Sequence, residues 1–163
     1  MVKRILSAVL VVLLLLSVLP CVAYATESDP TYRFEIEVEG TGESRAEPGD
    51  VITVSLYIYR TDSDESYNMY GMQAEIRYDT TFFRLVGDSE IITPGIVYQN
   101  VKGVGRYDEV YMNFLSLTGG EKWDAKRFVG SFQLEVTSSA GVSKISWEDT
   151  LVSRPDGKSS YVC

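Results

Sequence analysis

Three sets of polar side chains in this sequence have types and spacings that bear on chemistry. Asp62, Asp64 and Glu65 place three carboxylates in one short segment, a composition suited to Ca²⁺, a hard cation that takes roughly six to eight oxygens. Their spacing is not that of an EF-hand loop, and a solvated acidic loop is the commoner use of such a run. Tyr57 and Tyr59 stand two residues apart, so two flat rings on one strand face would be placed to stack on sugar rings; packing against cross-strand neighbours is the more frequent fate of such tyrosines. Gln73, Glu75 and Arg77 recur at the same spacing and would offer donors, acceptors and a charge to a partner molecule. Of the two tryptophans, Trp123 follows Gly119-Gly120 in a polar segment and is the candidate for an exposed ring, whereas the strand context of Trp147 places it in the core.

Catalysis finds little support in the same residues. The sequence contains no histidine, which removes the usual general base of Ser and Cys hydrolases and the commonest ligand of zinc, copper and iron. Carboxylate pairs for glycoside hydrolysis need a cleft and one acid with a raised pKa, and nothing in the pattern marks either. The residues therefore read as non-catalytic, with no cofactor and no metal.

The elements that must position these residues are strands. In Val51–Arg60, Ile52, Val54, Leu56 and Ile58 alternate with Thr53, Ser55, Tyr57 and Tyr59; in Gly71–Asp79, Met72, Ala74, Ile76 and Tyr78 alternate with Gln73, Glu75 and Arg77. A period of two buries one side of a strand and leaves the other to solvent, so the first set of each run is core. Tyr32 to Glu39 has the same form, with Tyr32, Phe34, Ile36 and Val38 opposite Arg33, Glu35, Glu37 and Glu39, and three like charges in a row must lie in water or meet cations. Further runs fall at Phe82 to Val86, Ile91 to Gln99, Glu109 to Leu115, Arg127 to Val136 and Val142 to Trp147, separated by turn-type clusters. Thr61 to Asn68 and Thr118 to Glu121 read as loops. No window of helical length carries a 3.6-residue period, so the expectation is an all-β sandwich with no internal repeat and no interdomain linker.

Lys3 and Arg4 precede an apolar run from Ile5 to Leu19, a Pro20 break and the small-residue site Ala23-Tyr24-Ala25. This is the form of a secretory signal peptide over residues 1–25, leaving one domain over 26–163 and no membrane insertion after cleavage. Cys21 follows Pro20, where a lipidation site needs a small residue. Removing residues 1–25 takes away two of the 15 bases and none of the 23 acids, so the remaining chain carries about −10. A surface that acidic is unsuited to phosphates, which excludes nucleic acid as a partner. Cys163 is then the only remaining cysteine, and an intrachain disulfide is excluded. Near the end, Pro155 to Ser160 reads as a turn and Tyr161-Val162 as the start of a strand, so the last strand is expected to be truncated and its edge prone to pairing with a second molecule.

PGD at Pro48 to Asp50 leading into VITVSLYIY, GMQAEIRYD at Gly71 to Asp79 followed by FFRLV, RFVGSFQLEV at Arg127 to Val136 and the glycine turn into VSKISW together resemble a cohesin domain. That family comprises secreted bacterial modules that bind dockerin modules and so attach enzymes to scaffolds or cell surfaces. The resemblance spans about Tyr32 to Cys163, and related carbohydrate-binding modules share parts of the pattern. It implies a nine-stranded jelly-roll β-sandwich whose dockerin-binding surface is the outer face of one sheet, built from the third, fifth, sixth and eighth strands. By position, that surface includes Gln73, Glu75 and Arg77 on the third strand, Tyr111 and Asn113 on the sixth, and Ser131, Gln133 and Glu135 on the eighth, with Tyr111 and Arg77 as anchors. The implied partner is a dockerin-containing protein in extracellular polysaccharide degradation or surface assembly, and the Ca²⁺ of such a pair belongs to the partner. The alternatives are a carbohydrate-binding module that uses Tyr57, Tyr59 or Trp123, and a structural spacer of a surface protein. Two positions depart from the family: Thr80 stands where proline is frequent, and the final strand, expected beside the first, is largely missing.

Overall fold

The structure is a computed structural model that describes residues 31–40, 45–138, 141–153 and 160–162. The signal peptide expected over residues 1–25, Cys21, Cys163 and most of the turn expected at Pro155 to Ser160 lie outside the described residues. Every regular element among them is a strand: β1 (Tyr32–Glu39), β2 (Val51–Arg60), β3 (Tyr67–Met69), β4 (Gly71–Asp79), β5 (Phe83–Leu85), β6 (Ile91–Ile92), β7 (Val97–Lys102), β8 (Tyr107–Leu115), β9 (Glu121–Trp123), β10 (Lys126–Val136), β11 (Ser146–Ser153) and β12 (Ser160–Val162).

Two antiparallel sheets form the layers. One runs β1-β2-β10-β5, with β6 also on β10; the other runs β12-β11-β4-β8-β7, and β3 and β9 make a separate two-stranded ribbon. Alternation explains the layering, since the expected inward residues of β2 and β4 are all buried, from Ile52, Val54, Leu56 and Ile58 to Met72, Ala74, Ile76 and Tyr78. They meet Val110, Met112 and Phe114 of β8 and Phe132 and Leu134 of β10 in one continuous core. At about 25 cal/mol per Å² of apolar surface removed from water, this shared core is the main source of stability.

Two irregularities aim the outward residues. Between Phe128 and Gly130 the register of β10 on β2 shifts by one residue, so outward positions change from even to odd numbers along the strand. Gly130 permits this, because a Cβ there would lie 2.8 Å from Ile92 Cδ1 and 3.1 Å from Met112 Sδ. A second shift on β11, between Glu148 and Leu151, keeps Leu151 in line with Gln73 while Val152 enters the core.

Four sequence expectations are corrected. The segments read as loops contain strands, because Tyr67–Met69 pairs with Glu121–Trp123. That ribbon folds Trp123 inward: the ring is 1% exposed and packs on Phe114 at 4.8 Å between centroids. Trp147, expected in the core, is 42% exposed. The last strand pairs with β11, not with β1. Thr80 has a physical role at the proline position: its amide donates to the Arg106 carbonyl at 2.7 Å and its hydroxyl donates to the same oxygen at 2.8 Å, neither of which proline can do.

Candidate functional site

The outer face of β11-β4-β8-β7 is ordered by register into rows that cross the sheet. Ser146, Arg77, Glu109 and Val101 form one row; Glu148, Glu75, Tyr111 and Gln99 form the next; Leu151, Gln73, Asn113 and Val97 form a third. Beyond them Gly71 pairs with Leu115, and because Gly71 has no side chain, Leu115 Cδ1 lies across it, 3.5 Å from where a Cβ would be.

The first two rows are tied together by one guanidinium. Arg77 Nη2 donates to Glu109 Oε1 at 2.9 Å and to Glu75 Oε1 at 3.2 Å, and Nε donates to Glu109 Oε1 at 3.2 Å. The Tyr111 hydroxyl reaches Glu75 Oε2 at 3.0 Å and Glu109 Oε2 at 3.2 Å, so its single proton serves two carboxylates. Glu148 approaches Arg77 Nη1 at only 3.6 Å, an ion pair without a hydrogen bond, and accepts one from Ser146 Oγ at 3.1 Å. Glu75 is buried beneath this network, 5% exposed, although it points outward. Burial, and then the bonds to Glu75 and Glu109, push the Tyr111 phenol up to about 12. The hydrogen bond to Glu109 and the surrounding carboxylates hold the Arg77 guanidinium above its ordinary value. Both side chains are thus fixed before any partner arrives, which lowers the ordering cost of binding.

Five of the expected partner-binding residues, Gln73, Glu75, Arg77, Tyr111 and Asn113, share this face. Ser131, Gln133 and Glu135 do not, because β10 belongs to the opposite sheet, where they pair with Ser55, Thr53 and Val51. There Ser131 is buried and Glu135 is held by Arg84. Glu109, Glu148, Gln99 and Val97 of the open face were not anticipated. Glu109 was legible, two residues before Tyr111 in the same alternating run; Glu148 was not, since the strand was expected to end at Trp147.

Tyr57 and Tyr59 project from the other outer face, with their rings engaged inside the chain. Lys126 Nζ sits 4.4 Å from the Tyr57 ring centroid and 4.8 Å from that of Tyr59, Phe128 tilts against Tyr57 at 5.5 Å, and Arg33 lies 5.3 Å over Tyr59. Lys126 also binds Glu37 at 3.1 Å, and contact with Tyr59 and then Glu37 raises its pKa. The acidic segment is partly spoken for as well: Asp62 accepts from Arg60 Nη2 at 2.9 Å and from the Thr31 amide at 3.1 Å. Among the described residues no three acidic or thiol side chains are grouped to hold a metal ion.

The sequence model of the family described as "Cohesin domain" matches residues 36–162. The chain belongs to the cohesin family. Solved cohesins share the sandwich at low identity. The cohesin module of a Clostridium perfringens family 33 glycoside hydrolase superposes with a TM-score of 0.60 at 16% identity, over 82% of this chain and 90% of that one. The cohesin of the Coh-OlpA–Doc918 complex from Clostridium thermocellum, a type I cohesin–dockerin complex, gives 0.52 at 19%, over 77% and 89%. The sixth cohesin of scaffoldin B from Acetivibrio cellulolyticus, solved with a Cel5 dockerin, gives 0.53 at 12%, over 80% and 92%. No curated protein matches this cohesin in sequence.

Proposed function

We propose that this cohesin is a non-catalytic recruitment module that binds dockerin-bearing proteins through the outer face of β11-β4-β8-β7. Family membership supplies the partner class, and related cohesins are known in complexes with dockerins. The observation that carries the choice of face is the Arg77–Glu75–Glu109–Tyr111 network, which fixes an arginine and a tyrosine, the residue types that most often dominate protein interfaces, in the middle of an open sheet. Secretion fits the basic residues and apolar run ahead of Ala25. A role in assembling polysaccharide-degrading enzymes at a scaffold or cell surface follows from the same reading.

Calorimetry against a panel of dockerin modules tests this directly, with retention on insoluble polysaccharide as a second arm. Saturable binding to at least one dockerin, lost when EDTA strips the partner's Ca²⁺ while the melting of this chain alone is unchanged, is the expected result. Binding to no dockerin, or retention on polysaccharide abolished by Tyr57→Ala and Tyr59→Ala, would overturn it.

A further inference from the structure

Among the described residues, Tyr67 Oη, Trp123 Nε1 and Arg127 Nε are buried polar atoms without a hydrogen-bond partner, and all three belong to one corner of the sandwich. Tyr67 and Trp123 lie opposite each other in the β3–β9 ribbon. Arg127, at the start of β10, pairs with the inward residue Ile58, while its neighbours Lys126 and Phe128 pair with the outward Tyr59 and Tyr57. Its side chain therefore turns toward the interior, with the guanidinium carbon 5.5 Å from the centroid of the Trp123 ring. Tyr32 packs on Tyr67 at 5.1 Å between centroids, and both Tyr67 and Trp123 are buried. Burial pushes the Tyr67 phenol up, while the nearby charge of Arg127 draws it down, so the hydroxyl keeps its proton beside a guanidinium.

The ion pairs among the described residues are made by Arg60, Arg77, Arg84, Arg106 and Lys126. Arg127 thus turns inward without a carboxylate, although acids outnumber bases 23 to 15 in the sequence. The Trp123 ring offsets part of its charge but leaves Nε–H without an acceptor, a costly state for a buried charged group. Indole N–H and guanidinium N–H can only donate, whereas a phenol can donate or accept. The two obligate donors cannot satisfy each other. A water among the three would accept from two donors and find only the phenol oxygen for its own two protons, while an anion accepts from all three and neutralises Arg127. We infer that Tyr67, Trp123 and Arg127 form a binding site for a small monovalent anion of halide size, which ties the β3–β9 ribbon to β10. One cation calls for one negative charge, and donor atoms this deeply covered leave no approach for a bulky ligand. None of the three residues stands on the outer face of β11-β4-β8-β7, so the inference is independent of the proposed dockerin binding.

Chloride titration of the full chain tests it, with gluconate replacing chloride so that ionic strength stays constant. The indole N–H resonances are followed by NMR, and Trp147, at its exposed position, serves as the internal control. The Trp123 N–H resonance is expected to move saturably with chloride while that of Trp147 does not saturate, and the melting temperature should stand about 3 °C higher in saturating chloride than in gluconate. Arg127→Met should abolish the saturable movement, and Tyr67→Phe, which removes one donor and keeps the ring, should weaken chloride binding about tenfold. Thermal melts in gluconate check that both variants are folded; if Arg127→Met is not, Tyr67→Phe alone decides. No saturable movement of Trp123 in the native chain would mean that water or a carboxylate of the chain meets these donors, and would overturn the inference. A saturable movement that Tyr67→Phe leaves at full strength, or that survives in folded Arg127→Met, would overturn it as well.

Discussion

The two outer faces of this sandwich are built from the same residue types and have opposite fates. On β1-β2-β10, Tyr57, Tyr59, Lys126, Arg33 and Glu37 satisfy one another, and each ring meets a cation of its own chain. On β11-β4-β8-β7, Arg77 and Tyr111 are also paired with carboxylates, but the far end of the face shows uncovered leucine and valine. What separates the two faces is therefore how their tyrosines and apolar surface are covered, since on the first each ring lies against a cation of its own chain and on the second aliphatic side chains stay in solvent.

The largest effect expected concerns a residue that belongs to neither face. Trp123→Ala would empty a buried site under the β3–β9 ribbon and cost ~3–5 kcal/mol in chemical denaturation, while Trp147→Ala, at an exposed position, would cost under ~1 kcal/mol. Similar losses for the two would contradict the placement of Trp123. Next, Arg77→Ala is expected to weaken dockerin binding by about 30-fold, the range of an interface hot spot, whereas Tyr57→Ala should leave the affinity within about twofold. Equal losses by calorimetry would erase the distinction between the faces. Tyr57→Ala should instead lower stability by ~1–2 kcal/mol through its lost contacts with Phe128 and Lys126, read from the urea midpoint.

The smallest effect sharpens the comparison through pH. The Tyr111 phenol is raised from about 10 to about 12 in the folded chain, so the native state keeps a proton that the unfolded chain releases first. Its contribution to stability is complete below about pH 10 and disappears as pH climbs through about 12. Tyr78 and the half-buried Tyr98 are also raised to about 12, and burial raises Tyr67 as well, so the Tyr111 share must be isolated as a difference. Tyr111→Phe should show a shallower loss of urea stability between those pH values than the native chain. Identical slopes would mean that the Tyr111 phenol is not raised in the folded chain.

The parts of the fold written in alternating side chains were legible. Ile52 to Ile58 and Met72 to Tyr78 are buried as their period of two requires, and the same period brought Gln73, Glu75 and Arg77 onto one side with Tyr111 and Asn113. Alternation says which side of a strand is wet. It does not say to which sheet the strand belongs, and so Ser131, Gln133 and Glu135 were grouped with a face that lies on the opposite layer. The bulge at Phe128 and Gly130 adds to this, because it changes which residues of β10 point outward partway along the strand. The tryptophans were exchanged for a related reason: Tyr67–Met69 and Glu121–Trp123 are too short to show a period, and only their pairing turns Trp123 inward. Charge balance is likewise a property of cross-strand neighbours, which is why Glu148 emerged only with the register of β11.

The most direct test of the account is an amide NMR titration of the isotope-labelled chain with a dockerin that binds it. The account predicts that shifts and line broadening concentrate on Arg77, Glu75, Tyr111, Asn113 and Glu148, with Tyr57, Tyr59, Gln133 and Glu135 unmoved. Perturbations centred on β2 and β10, with the Arg77 network silent, would contradict it.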